Sequence, residues 1–171
     1  MDKRGTPEEF SKMKLSAMLL RMVYPTVISD FANHMEVNEI RERVFRIGKN
    51  SGSQFYEYYK IRGKKLVPII KRMFKQIWDS KVKVKKEGDD HVYHLISKNC
   101  PVCGDLPPLE LPELHYCIPV AGFLEGYLNE MAKHKDLGFQ PGSIKCTTLQ
   151  SVCTHESKTC IHKLIIEGGS D

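Results

Sequence analysis

Two cysteines separated by two residues, Cys100 and Cys103 in CPVCG, form the kind of tight loop in which paired thiolates grip a tetrahedral metal ion. A zinc ribbon needs a second pair of the same type, and the chain has none. The other candidate donors are Cys117, Cys146, Cys153, His155, Cys160 and His162. Cys117 precedes a helical stretch, and Cys153 and Cys160 bracket the THESKT turn between two strand-like runs, so these three can converge although they are distant in sequence. Thiolate and imidazole suit zinc, which is borderline-soft and accepts four-coordinate sulfur and nitrogen shells at roughly 2.0–2.3 Å. Cys117, Cys153 and Cys160 are therefore the leading ligands of an expected zinc site. Cys146, in mid-strand, reads as a small buried hydrophobe.

The compartment bears on this chemistry. No stretch approaches the roughly 20 apolar residues of a membrane span, and MDKRGTPEEF has no apolar run behind its basic residues, so a cytoplasmic protein is expected. A reducing cytosol disfavours structural disulfides and leaves metal ligation, redox sensing or simple burial for six cysteines. With 171 residues the chain can bury a core without a metal or a disulfide to staple it. The net charge of +5 is concentrated in Lys60 to Lys86, where eleven Lys and Arg meet one acid, Asp79. Those basic residues alternate with Val82 and Val84 or lie opposite Leu66, Ile70, Met73 and Ile77, the pattern of a solvated face. No recognition helix or aromatic RNA-binding motif accompanies them, so direct nucleic-acid binding is not expected.

The elements that must position the cysteines are readable from periodicity. Thr6 before Pro7, Glu8 and Glu9 starts a helix running to about Val23, Pro25 interrupts it, and a second stretch continues to about Met35. Asn38 to Lys60 keeps a helical period with Gly48 and Gly52 on one face, a pair that lets another backbone approach, within the chain or across a dimer. Lys64 to Ser80 gives a further amphipathic helix. KVKVKK, the EGDD turn and HVYHLI read as a hairpin over Lys81 to Ile96. A Pro-rich loop, a helix over Ile118 to Lys133, and strands over Ser143 to Val152 and Ile161 to Glu167 complete the chain. The order predicts an α+β fold, with N-terminal helices packed on a small four-stranded antiparallel sheet.

HYCIPVAGFLEGYL, followed about thirty residues later by LQSVCTHESKTCIHKLII, resembles the vinyl-4-reductase domain, a family of hydrocarbon-binding proteins related to TRAPP vesicle-tethering subunits and to phenol-sensing domains. The family pattern is a Cys, a GxxxG helix, a strand ending in Glu-x-x-Cys, and a later Cys before a final strand. Here it falls on Cys117, on Gly122 and Gly126, on Gln150 with Cys153, and on Cys160. RIGKNSGSQFYEYY resembles the family's earlier glycine-bearing helix, so the similarity covers most of residues 38–167. It divides the chain into an N-terminal helical segment, 1–36, and a ligand-binding domain, 37–171.

The resemblance implies the TRAPP-like α+β fold, a homodimer, zinc, and an apolar pocket for a small hydrophobic molecule. Such a pocket would lie between the Ile118–Lys133 helix, the sheet and the tyrosine-rich helix, lined by Tyr56, Tyr59, His115, Tyr116 and Phe123. One departure concerns the metal: Gln150 stands where the sensor pattern has a ligating carboxylate, and a neutral amide is a poor zinc ligand. The fourth donor then falls to His155, Cys100, Cys103 or water, with His155 preferred because Cys-x-His sets its imidazole beside Cys153. The function implied is a zinc-containing, non-catalytic sensor or binding domain. The alternatives are a thiol redox sensor and a reductase accessory acting on a vinyl group; no glycine-rich dinucleotide loop supports the last.

Overall fold

The computed structural model describes residues 22–88, 91–100, 102–104, 106–109, 111, 113–139, 141–153 and 157–168. The expected helix from Thr6 to about Val23 therefore lies, but for Met22 and Val23, outside the described residues. Helix α1 spans Tyr24–His34 and carries Pro25 in its first turn, so this proline opens the helix, as its fixed φ allows. Helix α2, Val37–Tyr58, buries Ile40, Val44, Gly48, Gly52 and Tyr56. A four-residue step keeps those five on a single stripe. Helix α3, Leu66–Trp78, buries Leu66, Ile69, Ile70, Met73 and Phe74, the spacing of a core-facing stripe. It ends at Asp79 in the left-handed region, with the Ser80 amide returned to the Phe74 carbonyl.

Strands β1 (Lys83–Lys86) and β2 (Val92–Ser97) form the expected hairpin. Helix α4, Ile118–Lys133, follows, and then β3 (Ser143–Gln150) and β4 (Cys160–Glu167). The four strands make one antiparallel sheet in the order β1-β2-β4-β3, so β4 lies between β2 and β3 and joins the two hairpins. The α+β arrangement with a four-stranded antiparallel sheet is thus the one the sequence predicts. Along β4, Cys160, His162, Leu164 and Ile166 are buried while the alternate residues are partly open, the two-residue period of a sheet with one covered face.

Helix α4 is buried around most of its circumference because α2 packs on one side of it and β3 on the other. Its contact with β3 is polar as well as apolar. Asn129 accepts from the Ile144 amide at 3.1 Å and donates to the Ile144 carbonyl at 2.7 Å, and Glu125 accepts from the Cys146 amide at 2.9 Å. An outer sheet edge that would otherwise present open backbone groups is therefore closed by helix side chains.

Candidate metal centre

The register of β2 against β4 builds the centre. Ser97, the last residue of β2, pairs with Cys160, the first of β4, and three residues beyond Ser97 the chain enters the CPVC loop. Cys100 and Cys103 are thereby carried to the head of β4. Cys117 arrives from the opposite direction as the N-cap of α4, where the free amides of a helix start favour negative charge on a thiol.

The sulfurs of Cys100, Cys103, Cys117 and Cys160 all lie within 4.8 Å of one another, and all four residues are buried. A tetrahedral ion with metal–sulfur bonds of about 2.3 Å sets its sulfurs about 3.8 Å apart, so small adjustments of the side chains suffice to close a shell. Four free thiols in this space compete for protons. Hydrogen bonds from Cys103, Cys117 and Cys160, with the Val102 amide, hold the Cys100 thiol far below its usual range. Cys100 foremost, with Cys117, Cys153, Cys160 and burial, pushes the Cys103 thiol up, and Cys100 foremost, with Cys160 and burial, pushes the Cys117 thiol up. A cation removes that competition by replacing the shared protons, which is how metal binding couples to thiol ionisation. The Val102 amide on the Cys100 sulfur and the Val152 amide 3.4 Å from the Cys160 sulfur are the backbone donors that a metal-bound thiolate uses for its remaining lone pairs. The four cysteines can hold a metal ion.

The expected ligands distribute as follows. Cys117 and Cys160 belong to the group, together with Cys100 and Cys103. Cys153 lies beside it: its thiol donates to the Cys103 carbonyl at 3.0 Å and also contacts the Cys103 sulfur. His155 lies outside the described residues. The Gln150 amide is engaged by Ser157 and by the Thr159 carbonyl, which keeps it in the turn before β4. Cys146 is a buried thiol apart from the group, and burial pushes its pKa up. His162 is buried one strand step below Cys160, with Nδ1 3.0 Å from the Thr148 hydroxyl. Its Nε2 has no hydrogen-bond partner among the described residues, and burial lowers its pKa to about 4, which keeps the ring neutral. The sequence named His162 among the candidate donors without assigning it a place.

The five expected pocket residues make the following contacts. Phe123 packs against Phe55 at 5.6 Å, Trp78 at 5.3 Å and Tyr127 at 6.1 Å between ring centroids. Tyr56 is sealed by Tyr127 and His134 and its hydroxyl is bonded to Asp136. Tyr59 is exposed and packs tilted against Phe55, whereas His115 and Tyr116 are buried next to Cys117 in sequence, with Tyr24 donating to the Tyr116 carbonyl. Two grooves are lined by other residues. A groove of about 580 Å³ between α2, α4 and β3 is lined by Phe45, Ile118, Arg41, Asn38, Glu125 and Cys146 among others. Another of about 700 Å³ lies under Trp78 beside Lys81, Lys83 and Lys98. No described helix is long and apolar enough to cross a membrane. No family model matches the chain, and no curated protein is similar to it at a significant level.

Proposed function

We propose that this chain is a zinc-containing, non-catalytic binding or sensor domain of the vinyl-4-reductase type, whose Cys100, Cys103, Cys117 and Cys160 hold a structural zinc ion. The observation that carries the metal is the mutual approach of four buried sulfurs within 4.8 Å. Zinc is favoured over other ions by an all-thiolate, tetrahedral shell with no carboxylate in it. A closed shell of four protein ligands leaves no position for water, which is the property of structural sites and argues against hydrolysis at the metal.

The glycine-bearing helix pair and the order of strands and cysteines support the vinyl-4-reductase comparison. A small apolar ligand fits the groove floored by Phe45 and Ile118 better than the ring-filled space around Phe123. Arg41 and Asn38 at its rim would anchor a polar end. Elemental analysis of the purified protein tests the central claim. One zinc per chain is expected, lost from Cys117→Ser and Cys160→Ser and kept by Cys146→Ser. Full retention of metal by both of the first two variants would overturn it. Thermal stability against a panel of phenols tests the ligand, with a response expected from the wild type and not from Phe45→Glu.

A further inference from the structure

The centre has one thiol more than a tetrahedral ion needs. Four sulfurs are mutually close, and the fifth, Cys153, touches only one of them, Cys103. Its backbone is fixed there, because the Leu109 amide donates to the Cys153 carbonyl at 2.9 Å and the Cys153 thiol is tied to the Cys103 carbonyl. Cys153 is itself buried, so the two sulfurs share one enclosed environment. A cysteine kept against a ligand sulfur, but outside the shell, is positioned to exchange its proton for a sulfur–sulfur bond.

We propose that Cys153 and Cys103 form an oxidisable pair that ejects the metal when a hydroperoxide reaches the centre. This rests on the metal site proposed above. In the first step the Cys153 sulfur attacks the peroxide oxygen. An S–O bond forms, the O–O bond breaks, and the leaving oxygen takes up the thiol proton as water or an alcohol. Sulfur is oxidised by two electrons and the peroxide is reduced by two. In the second step the Cys103 sulfur leaves the metal and attacks the Cys153 sulfenic acid. The S–S bond forms, the S–O bond breaks, and the hydroxyl departs as water with one further proton. The sum is one thiol, one metal-bound thiolate, one proton from solvent and one hydroperoxide giving one disulfide, one water and one water or alcohol. Three sulfurs remain for the ion, which loses affinity and is released. Cys153 lies outside the shell, so its oxidation in the first step breaks no metal–sulfur bond, and its thiol passes its proton to the leaving oxygen as the thiolate forms.

The test uses the zinc-loaded protein, a few equivalents of hydrogen peroxide, a chromogenic chelator, and peptide mapping without reduction. Wild type is expected to release zinc together with a Cys103–Cys153 disulfide, and dithiothreitol with added zinc should restore the starting state. Cys153→Ser and Cys153→Ala, with wild-type zinc content before treatment, should release it at least tenfold more slowly. Release from both variants at the wild-type rate, or a disulfide mapped to Cys100–Cys103 in the wild type, overturns the pair. Absence of zinc before peroxide would refute the metal site instead. The disulfide map still decides the pair in that case.

Discussion

The Pro119 carbonyl oxygen occupies the place where a side chain at Gly48 would begin: a Cβ added there would lie 2.2 Å from it. The relation is reciprocal along the α2–α4 crossing. A Cβ at Gly52 would meet the Phe123 carbonyl at 2.2 Å, and Cβ atoms at Gly122 and Gly126 would meet those of Phe45 and Lys49 at 2.2 and 2.1 Å. The obstacle is backbone in each case, so the helices must separate to admit even a methyl group. Gly48→Ala should therefore destabilise the protein by about 3 kcal/mol, as overpacking of a tight core does, despite alanine's better helix propensity. Urea denaturation measures it, with Ser51→Ala on the exposed side of α2 as a control expected to be neutral.

Both glycine pairs were visible as spacing, and a close backbone approach follows from spacing alone. Whether the approaching backbone belongs to the same chain does not, because Gly48 and Gly52 carry no side chain that could name a partner. The fold uses the two pairs against each other, so a homodimer, which the family resemblance implies, needs another surface.

Glu125 is a buried carboxylate that satisfies two demands, Lys49 Nζ at 2.8 Å and the Cys146 amide at 2.9 Å. Glu125→Ala leaves that amide without its acceptor and should cost about 1–3 kcal/mol. Lys49 is half exposed, so Lys49→Met should cost about 1 kcal/mol or less. Chemical denaturation of the two variants orders the effects; a larger loss from Lys49→Met would contradict this assignment.

Tyr127 is fully buried and bridges two backbone groups, accepting from the Ile61 amide at 2.8 Å and donating to the Tyr59 carbonyl at 2.7 Å. These bonds hold the connection from α2 to α3. Tyr127→Phe keeps the ring stack and removes both bonds, so about 2 kcal/mol should be lost. Amide exchange at Ile61 should accelerate accordingly. The surrounding rings illustrate a limit of sequence: helical spacing put Tyr56 and Phe123 on the α2–α4 side of the fold, but a ring facing a cavity and a ring facing another ring have the same spacing.

The composition of the metal centre was legible in part for a related reason. CPVCG, Cys117 and Cys160 each announce a thiol at the end of an element. Their convergence depends on Ser97 pairing with Cys160, a contact between strands from different hairpins. Local alternation predicts each hairpin and says nothing of how the two adjoin, so the sequence named Cys100 and Cys103 only as alternatives for a fourth donor, where the register brings both beside Cys117 and Cys160.

That register also sets what metal removal should do. The centre joins the end of β2, the CPVC loop, the start of α4 and the start of β4. An ion bound by the folded chain and not by the unfolded one stabilises in proportion to its saturation, about 4 kcal/mol at a thousandfold excess over Kd. For a chain of this length that corresponds to a Tm change of roughly 8–16 °C. Chelation by a strong zinc ligand should lower Tm by this amount, and added zinc should restore it. Hydrogen exchange should show the loss first in residues 113–120 and at the β2–β4 junction, with the α2–α4 crossing still protected. Uniform loss of protection would mean that the ion supports the whole core. No change in Tm would mean that the four sulfurs carry no metal under the conditions of purification.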